Sequence, residues 1–331
     1  MQVKCPYCFH KVHPKRGKYQ IDPYRCSNCK RELDIDYVKS VSKNPFWQSL
    51  LDLIRLDANY FNTKRQIFVG MIGKSGHGKT VYITSLFFIL KNLPNIWQEY
   101  YYRCLNEESI EKVEVFVKNF KNSELPEGTP VMFATPSILN FIKLPYFLDQ
   151  VMCFYDAAGE MFENREQLAE QGKYVCNTDV VFCIVSLRGI GTDSNWCSEF
   201  NVLVSNYIGW VQPKQQNLVV VLTQGDCALD EIPEDVANYL LQGDIYQYQT
   251  IQPDKLERQL QGISEKLRSF LLDKGCANPV RLIEDRFKKV KYTIVSSTGQ
   301  EPVEGKLLED PTVTDPKRVL DPFFWSLLLN K

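Results

Sequence analysis

With 331 residues, 44% hydrophobic and 12% aromatic, the chain carries enough apolar surface for a sizeable core, which excludes disorder, collagen-like repeats and coiled coil as its main architecture. Its 39 basic and 40 acidic residues nearly cancel, so a grip on nucleic acid by the whole molecule is excluded as well. Eleven cysteines are the unusual count. The first residues, Met1–Cys8, show no apolar leader, and the longest apolar run, Val81–Leu90, is too short to span a bilayer. The expectation is a soluble, cytoplasmic protein without a membrane span, whose non-ligand cysteines are free thiols.

Cys5-Pro-Tyr-Cys8 is followed by seventeen residues and then Cys26-Ser-Asn-Cys29. Two C-x2-C pairs at this separation present four thiolates to one tetrahedral ion, and a segment this short needs a metal to fold. The spacing predicts a zinc ribbon over residues 1–36, with Cys5, Cys8, Cys26 and Cys29 as Zn2+ ligands. A rubredoxin-like iron site is the other reading. Four cysteines leave no open coordination position, so the role is structural. His10 and His13 are surplus to the ligand set. Residues 1–35 hold eight Lys/Arg against three Asp/Glu, which makes the ribbon basic within a near-neutral chain. That charge suits either a solvated surface or a weak nucleic-acid or protein contact.

Residues 37–65 read as a linker containing an amphipathic helix, Asn44–Asp57, with Asn44 as its cap and Pro45 at its first position. The main domain, 66–300, opens with a strand pattern at Gln66–Ile72 that runs into Gly73-Lys-Ser-Gly-His-Gly-Lys-Thr80. This is the Walker A pattern, with a strand before it and a helical stretch after it. Gly73, Lys74, Ser75, Gly76, His77 and Gly78 curl the backbone so that its N–H groups face phosphate oxygens. Lys79 bridges the β- and γ-phosphates, and the Thr80 hydroxyl binds Mg2+.

Four further apolar runs each end in polar residues. Val151–Tyr155 leads to Asp156-Ala-Ala-Gly159, Val180–Val185 to Ser186, Leu218–Leu222 to Thr223-Gln-Gly-Asp226, and Tyr292–Val295 to Ser296-Ser-Thr298. Unbroken apolar runs suit parallel strands buried on both faces, and ligands of such sheets bind at the strands' carboxyl ends. The predicted fold class is α/β: a three-layer P-loop NTPase domain with a mostly parallel six-stranded sheet, preceded by the ribbon. Insertions fall at 91–128 and 230–288, and 301–331 is a tail with an apolar closing helix.

The motif order resembles the Ras-like (TRAFAC) class of P-loop GTPases. The resemblance covers roughly residues 66–300 and implies a GTP/GDP-binding switch with Mg2+-dependent hydrolysis. It places Asp156 on Mg2+, Gly159 on the γ-phosphate, Asp226 on the guanine N1 and N2 edge with Thr223 and Gln224 in the same motif, and the Ser296–Ser297 backbone at guanine O6. Thr129 matches the switch I threonine and third magnesium contact, with Thr135 as the other candidate. Glu160 stands where many relatives carry a water-positioning glutamine. It either acts as a base or leaves hydrolysis slow until an activating partner arrives. Gln224 replaces the family's lysine, which puts guanine selectivity in question. A ribbon ahead of such a domain, together with Pro126-Glu-Gly-Thr-Pro130, resembles the prokaryotic double-GTPase type associated with conflict or defence systems.

The expected function is a GTP-binding switch, slow in hydrolysis, that regulates or recruits a protein effector. Two alternatives stand beside it. Lys74 in K-x-G-x-x-K-T also resembles the deviant Walker A loop of ATPases that dimerise on ATP. The chain also fits a nucleotide-stabilised zinc-ribbon adaptor without turnover.

Overall fold

The computed structural model describes residues 3–12, 24–34, 37–38, 65–122, 124–126, 135–156, 159, 172–211, 213–243, 245–249, 252–301 and 315–330. The proposed helix at 44–57 lies outside them.

The N-terminal residues form two matching knuckles. Strands β1 (Val3–Lys4) and β2 (Lys11–Val12) pair antiparallel around Cys5–Cys8, and β3 (Tyr24–Arg25) and β4 (Glu32–Leu33) pair around Cys26–Cys29. Both knuckles use the same backbone bonds. Cys5 N–H donates to His10 O and Phe9 N–H to Cys5 O; Cys26 N–H donates to Arg31 O and Lys30 N–H to Cys26 O. Phe9 and Lys30, each directly after a second cysteine, are left-handed at φ 61° and 64°. This paired geometry fits a zinc ribbon.

The remainder is built on a mixed, mostly parallel sheet of β5 (Arg65–Ile72), β6 (Tyr101–Cys104), β7 (Ser137–Ile142), β8 (Gln150–Tyr155), β9 (Val180–Ser186), β10 (Asn217–Thr223) and β11 (Lys289–Ile294). Its spatial order is β11-β10-β9-β5-β8-β7-β6. Strands β11, β10, β9, β5 and β8 run parallel, while β7 pairs antiparallel with β8 and β6 antiparallel with β7. The sheet thus has seven strands where six were expected. The additional strand, β6, falls inside the 91–128 segment. Its four residues alternate between exposed and half-buried, so the long apolar run that marked the central strands is missing.

Seven helices are described: α1 (Lys79–Asn92), α2 (Glu107–Lys121), α3 (Trp196–Trp210), α4 (Glu234–Leu241), α5 (Pro253–Asp273), α6 (Ala277–Arg286) and α7 (Leu320–Leu328). Side chains alternate across the strands and feed two cores. On one face Phe68, Cys153, Tyr155, Val181, Cys183 and Val220 pack with α3, α4, α6 and the apolar side of the knuckles. On the other, Ile67, Val69, Phe154, Phe182, Ile184 and Val221 pack with α1, α2 and α7. Helix α5 serves both, through Leu256 and Leu260 on one side and Leu267 and Leu271 on the other. The result is three layers.

One cysteine expectation is corrected. Cys197 at the start of α3 and Cys276 before α6 form a disulfide, with Cα atoms 5.3 Å apart. The packing of α3 against α6 brings them into bonding range although 79 residues separate them. Cys153 and Cys183 are free and fully buried in the core, as expected of small apolar side chains. Among the described residues no helix is long and apolar enough to cross a membrane.

Candidate functional site

The motif-bearing loops emerge at the same edge of the sheet because their strands are parallel. Register pairs Gly70 of β5 with Tyr155 of β8, Ile72 of β5 with Cys183 of β9, Thr223 of β10 with Ser186 of β9, and Leu222 of β10 with Ile294 of β11. The residues that follow, Gly73–Gly78, Asp156, Ser186–Leu187, Gln224–Asp226 and Ser296–Thr298, therefore lie side by side at the carboxyl ends.

The Gly73–Thr80 segment links β5 to α1. A Cβ at Gly73 would sit 2.6 Å from the Ile184 carbonyl oxygen, so only glycine fits against β9 there. Gly76 and Gly78 adopt φ 78°, a left-handed conformation open to glycine at little cost. The turn delivers Gly78 as the cap of α1, whose first turn holds no acidic residue. Its N-terminal N–H groups and positive dipole end have no anionic neighbour on that turn. Lys79 is buried, and its Nζ donates to Lys74 O at 2.8 Å, which folds the ammonium back over the loop. Thr80 follows in the first turn, half-buried. A loop with glycine-opened N–H groups and a buried ammonium is chemically suited to an anion.

Asp156 is buried at the end of β8. Three residues on, Gly159 touches the loop directly: a Cβ there would lie 2.2 Å from Ser75 N and 2.5 Å from Lys74 C. Both are backbone atoms that cannot swing aside, so the close approach requires glycine. Ser75 thus meets Gly159 through its main chain.

The His77 imidazole reaches β9. Its Nδ1 lies 3.2 Å from Ile184 O, and Thr223 Oγ1 donates to the His77 carbonyl at 2.8 Å. Burial holds the His77 pKa below its ordinary value; the Ile184 carbonyl opposes this, and the Lys79 and Lys74 charges lower it further. Lys74 pairs with Glu199 of α3 in its own chain, Nζ to Oε1 3.1 Å. Glu199 was not anticipated, and only the packing of α3 brings it here.

At the other end of the site, Gln224 is left-handed at φ 55°, and its Oε1 accepts the Ser186 hydroxyl. The same Ser186 oxygen accepts Arg188 N–H at 3.1 Å, and Trp196 Nε1 donates to Ser186 O at 2.7 Å. Ser186, visible in the sequence only as a polar strand end, is the anchor of Gln224. Asp226 follows, half-buried in the first turn of a short 3-10 helix. Across from it, Ser296 exchanges backbone bonds with Lys317, N–H to O at 3.1 Å and O from N–H at 2.8 Å, and its hydroxyl accepts Gly299 N–H at 3.0 Å. Ser296 is thereby held by the tail, which also donates Asp315 N–H to Thr298 O at 3.2 Å. Thr129 and Glu160 lie outside the described residues, and Thr135 is half-buried just before β7.

The four knuckle thiols lie within 4.8 Å of one another. Cys5 Sγ to Cys29 Sγ is 3.8 Å and Cys8 Sγ to Cys26 Sγ is 3.7 Å. A tetrahedron with metal–sulfur arms of about 2.3 Å has edges of about 3.8 Å, so these residues fit one zinc ion. His10 is not among them; its Nδ1 pairs with Asn28 Nδ2 at 3.3 Å.

No protein-family model matches the chain, and no curated protein matches it in sequence.

Proposed function

We propose that the chain is a guanine-nucleotide-binding switch of the Ras-like P-loop class, dependent on Mg2+, with a structural zinc ribbon docked on its sheet. One observation carries this reading: the four motif loops after β5, β8, β10 and β11 converge at one sheet edge, and Gly159 presses its backbone onto Ser75. In that frame the Gly73–Thr80 loop cradles the phosphates. Lys79 neutralises the β- and γ-oxygens, while Thr80 and Asp156 hold Mg2+, Asp156 through water. Gly159 N–H senses the γ-phosphate, the contact by which such a switch reads its nucleotide. Asp226 accepts from the guanine N1 and N2 edge, and the backbone of the Ser296–Ser297 loop reads O6. Zn2+ on Cys5, Cys8, Cys26 and Cys29 supplies folding energy to the ribbon.

Hydrolysis in this reading is slow and accelerated by a protein partner, and the family resemblance assigns Thr129 to the γ-phosphate and Glu160 to the attacking water. Lys74 is engaged with Glu199 of the same chain, which favours this switch over an ATPase that uses Lys74 across a dimer. The nucleotide released from protein purified under native conditions, identified by mass spectrometry, tests the reading. Guanine nucleotide is expected, and adenine nucleotide would overturn it. Phosphate release measured with GTP then separates a slow enzyme from an adaptor that holds its nucleotide without turnover.

A further inference from the structure

The first knuckle docks on the sheet at the end of β8, next to Asp156. Tyr155, the last residue of β8 and the covalent neighbour of Asp156, is fully buried, and its hydroxyl donates to Pro6 O at 2.5 Å. Pro6 lies between the ligand residues Cys5 and Cys8. Phe9, the left-handed residue that closes the same knuckle, packs its ring 5.4 Å from Tyr155 and 5.7 Å from Phe68 of β5. The far flank of the segment that begins at Asp156 is held as well: Lys4 Nζ donates to Asn177 O at 3.0 Å, and Asn177 ends the 3-10 turn Gly172–Asn177. Val175 of that turn belongs to the core cluster that contains Cys5 and Cys26. One knuckle therefore contacts both Tyr155 and Asn177. A second anchor reaches the same knuckle through the Lys4 carbonyl and avoids Tyr155. Tyr37 OH donates to Lys4 O at 2.5 Å, and Gln66 Nε2, at the start of β5, donates to Tyr37 OH at 2.5 Å.

We infer that Tyr155 is a positioning residue that couples the metal state of the four-cysteine knuckle to the nucleotide pocket, so that zinc occupancy and Mg2+–nucleotide binding reinforce each other. The inference rests on the nucleotide reading above. A thiolate-bound ion holds Cys5–Cys8 in one conformation. That conformation presents Pro6 O to Tyr155, and the hydroxyl fixes the end of β8, which carries Asp156 and precedes Gly159 on the Gly73–Thr80 loop. Without the ion the turn is held only by its backbone bonds and the packing of Phe9, so the hold of Pro6 O on the end of β8 weakens. Coupling between two sites is reciprocal in binding free energy, so nucleotide must tighten zinc by the same factor.

The test uses the full chain loaded with zinc, with Tyr155→Phe beside it. That variant keeps the ring against Phe9 and removes only the hydroxyl. The readouts are the Mg2+ concentration that half-saturates binding of fluorescent GTP, and the zinc affinity in competition with a chromophoric chelator, with and without Mg2+–GTP. In the wild type, Mg2+–GTP should tighten zinc about fivefold, the equilibrium worth of one net hydrogen bond. In Tyr155→Phe that factor should fall to about one, and the Mg2+ midpoint should rise about fivefold. Tyr37→Phe removes the other anchor and should lower stability while leaving the Mg2+ midpoint unchanged. If Tyr155→Phe and Tyr37→Phe behave alike, Tyr155 is a docking residue only and the inference is overturned. It is also overturned if the wild type binds GTP but holds zinc equally well with and without it, a result that leaves the nucleotide reading intact. A zinc-loaded wild type that binds no nucleotide sinks both.

Discussion

Gly159→Ala is the sharpest perturbation of the site. The added Cβ would meet Ser75 N at 2.2 Å and Lys74 C at 2.5 Å. Carbon contacts settle near 3.5–4.0 Å, so the 156–159 turn must withdraw from the Gly73–Thr80 loop by about 1 Å or more. Overpacking of this kind costs about 1–3 kcal/mol when the chain is closely packed, and this turn has backbone on both sides of the clash. The main consequence falls on a single bond. Gly159 N–H is assigned to the γ-phosphate, and a hydrogen bond to a charged group contributes about 1.5–3 kcal/mol. At about 1.4 kcal/mol per decade, GTP affinity should fall roughly ten- to hundredfold. GDP has no γ-phosphate, and its affinity should change by less than about threefold on the same reasoning. Equilibrium titration of fluorescent GTP and GDP against wild type and variant gives both numbers, with a urea melt to establish that the variant is folded. Equal losses for GTP and GDP, or no loss for either in a folded variant, would refute the placement of Gly159 at the γ-phosphate.

Three further outcomes follow from the same geometry. Lys79→Ala removes the ammonium that lies over the loop and should weaken GTP and GDP together by about a hundredfold or more, with little change in the urea midpoint; calorimetric titration measures it. Reducing the Cys197–Cys276 bond, which closes a separation of 79 residues, should cost up to about 4.5 kcal/mol on the chain-entropy account. The thermal midpoint of the wild type should therefore drop with dithiol reductant, while that of the Cys197→Ser, Cys276→Ser double variant should not respond. Burial keeps the folded pKa of His77 below its ordinary 6.5, so the unfolded chain takes up that proton first. Stability should be complete above about pH 6.5 and decline as pH falls below it; urea midpoints between pH 8 and 5.5 should fall more steeply for the wild type than for His77→Gln, and parallel slopes would count against a buried neutral imidazole.

The central strands were legible because burial on both faces leaves a simple trace. Runs such as Val180–Val185 and Leu218–Leu222 carry no polar interruption and end in serine, threonine or aspartate where the backbone leaves the sheet. The knuckles were legible for a different reason: a metal demands thiolates at fixed spacing, and the chain must display them. Contacts set by the packing of remote elements left no such trace. Glu199 meets Lys74, and Cys197 meets Cys276, only because α3 lies across the sheet beside α6. The strand Tyr101–Cys104 is short, lies at an edge and is half exposed, so its pattern resembles the helical stretches around it. Tyr155 reads as one more apolar residue of β8 until the ribbon is placed against it. The hold of Ser186 on Gln224 is likewise a matter of register between β9 and β10.

A guanine-reading pocket built on Asp226 must show itself in base selectivity. Zinc-loaded protein titrated with fluorescent GTP, ATP and XTP in Mg2+ should bind GTP at least about tenfold more tightly than ATP, the worth of roughly one charged hydrogen bond at the base edge. Asp226→Asn exchanges an acceptor for a donor and should move the preference from GTP to XTP without loss of phosphate binding. ATP binding as tight as GTP in the wild type, or an Asp226→Asn variant whose preference does not move, would contradict the claim.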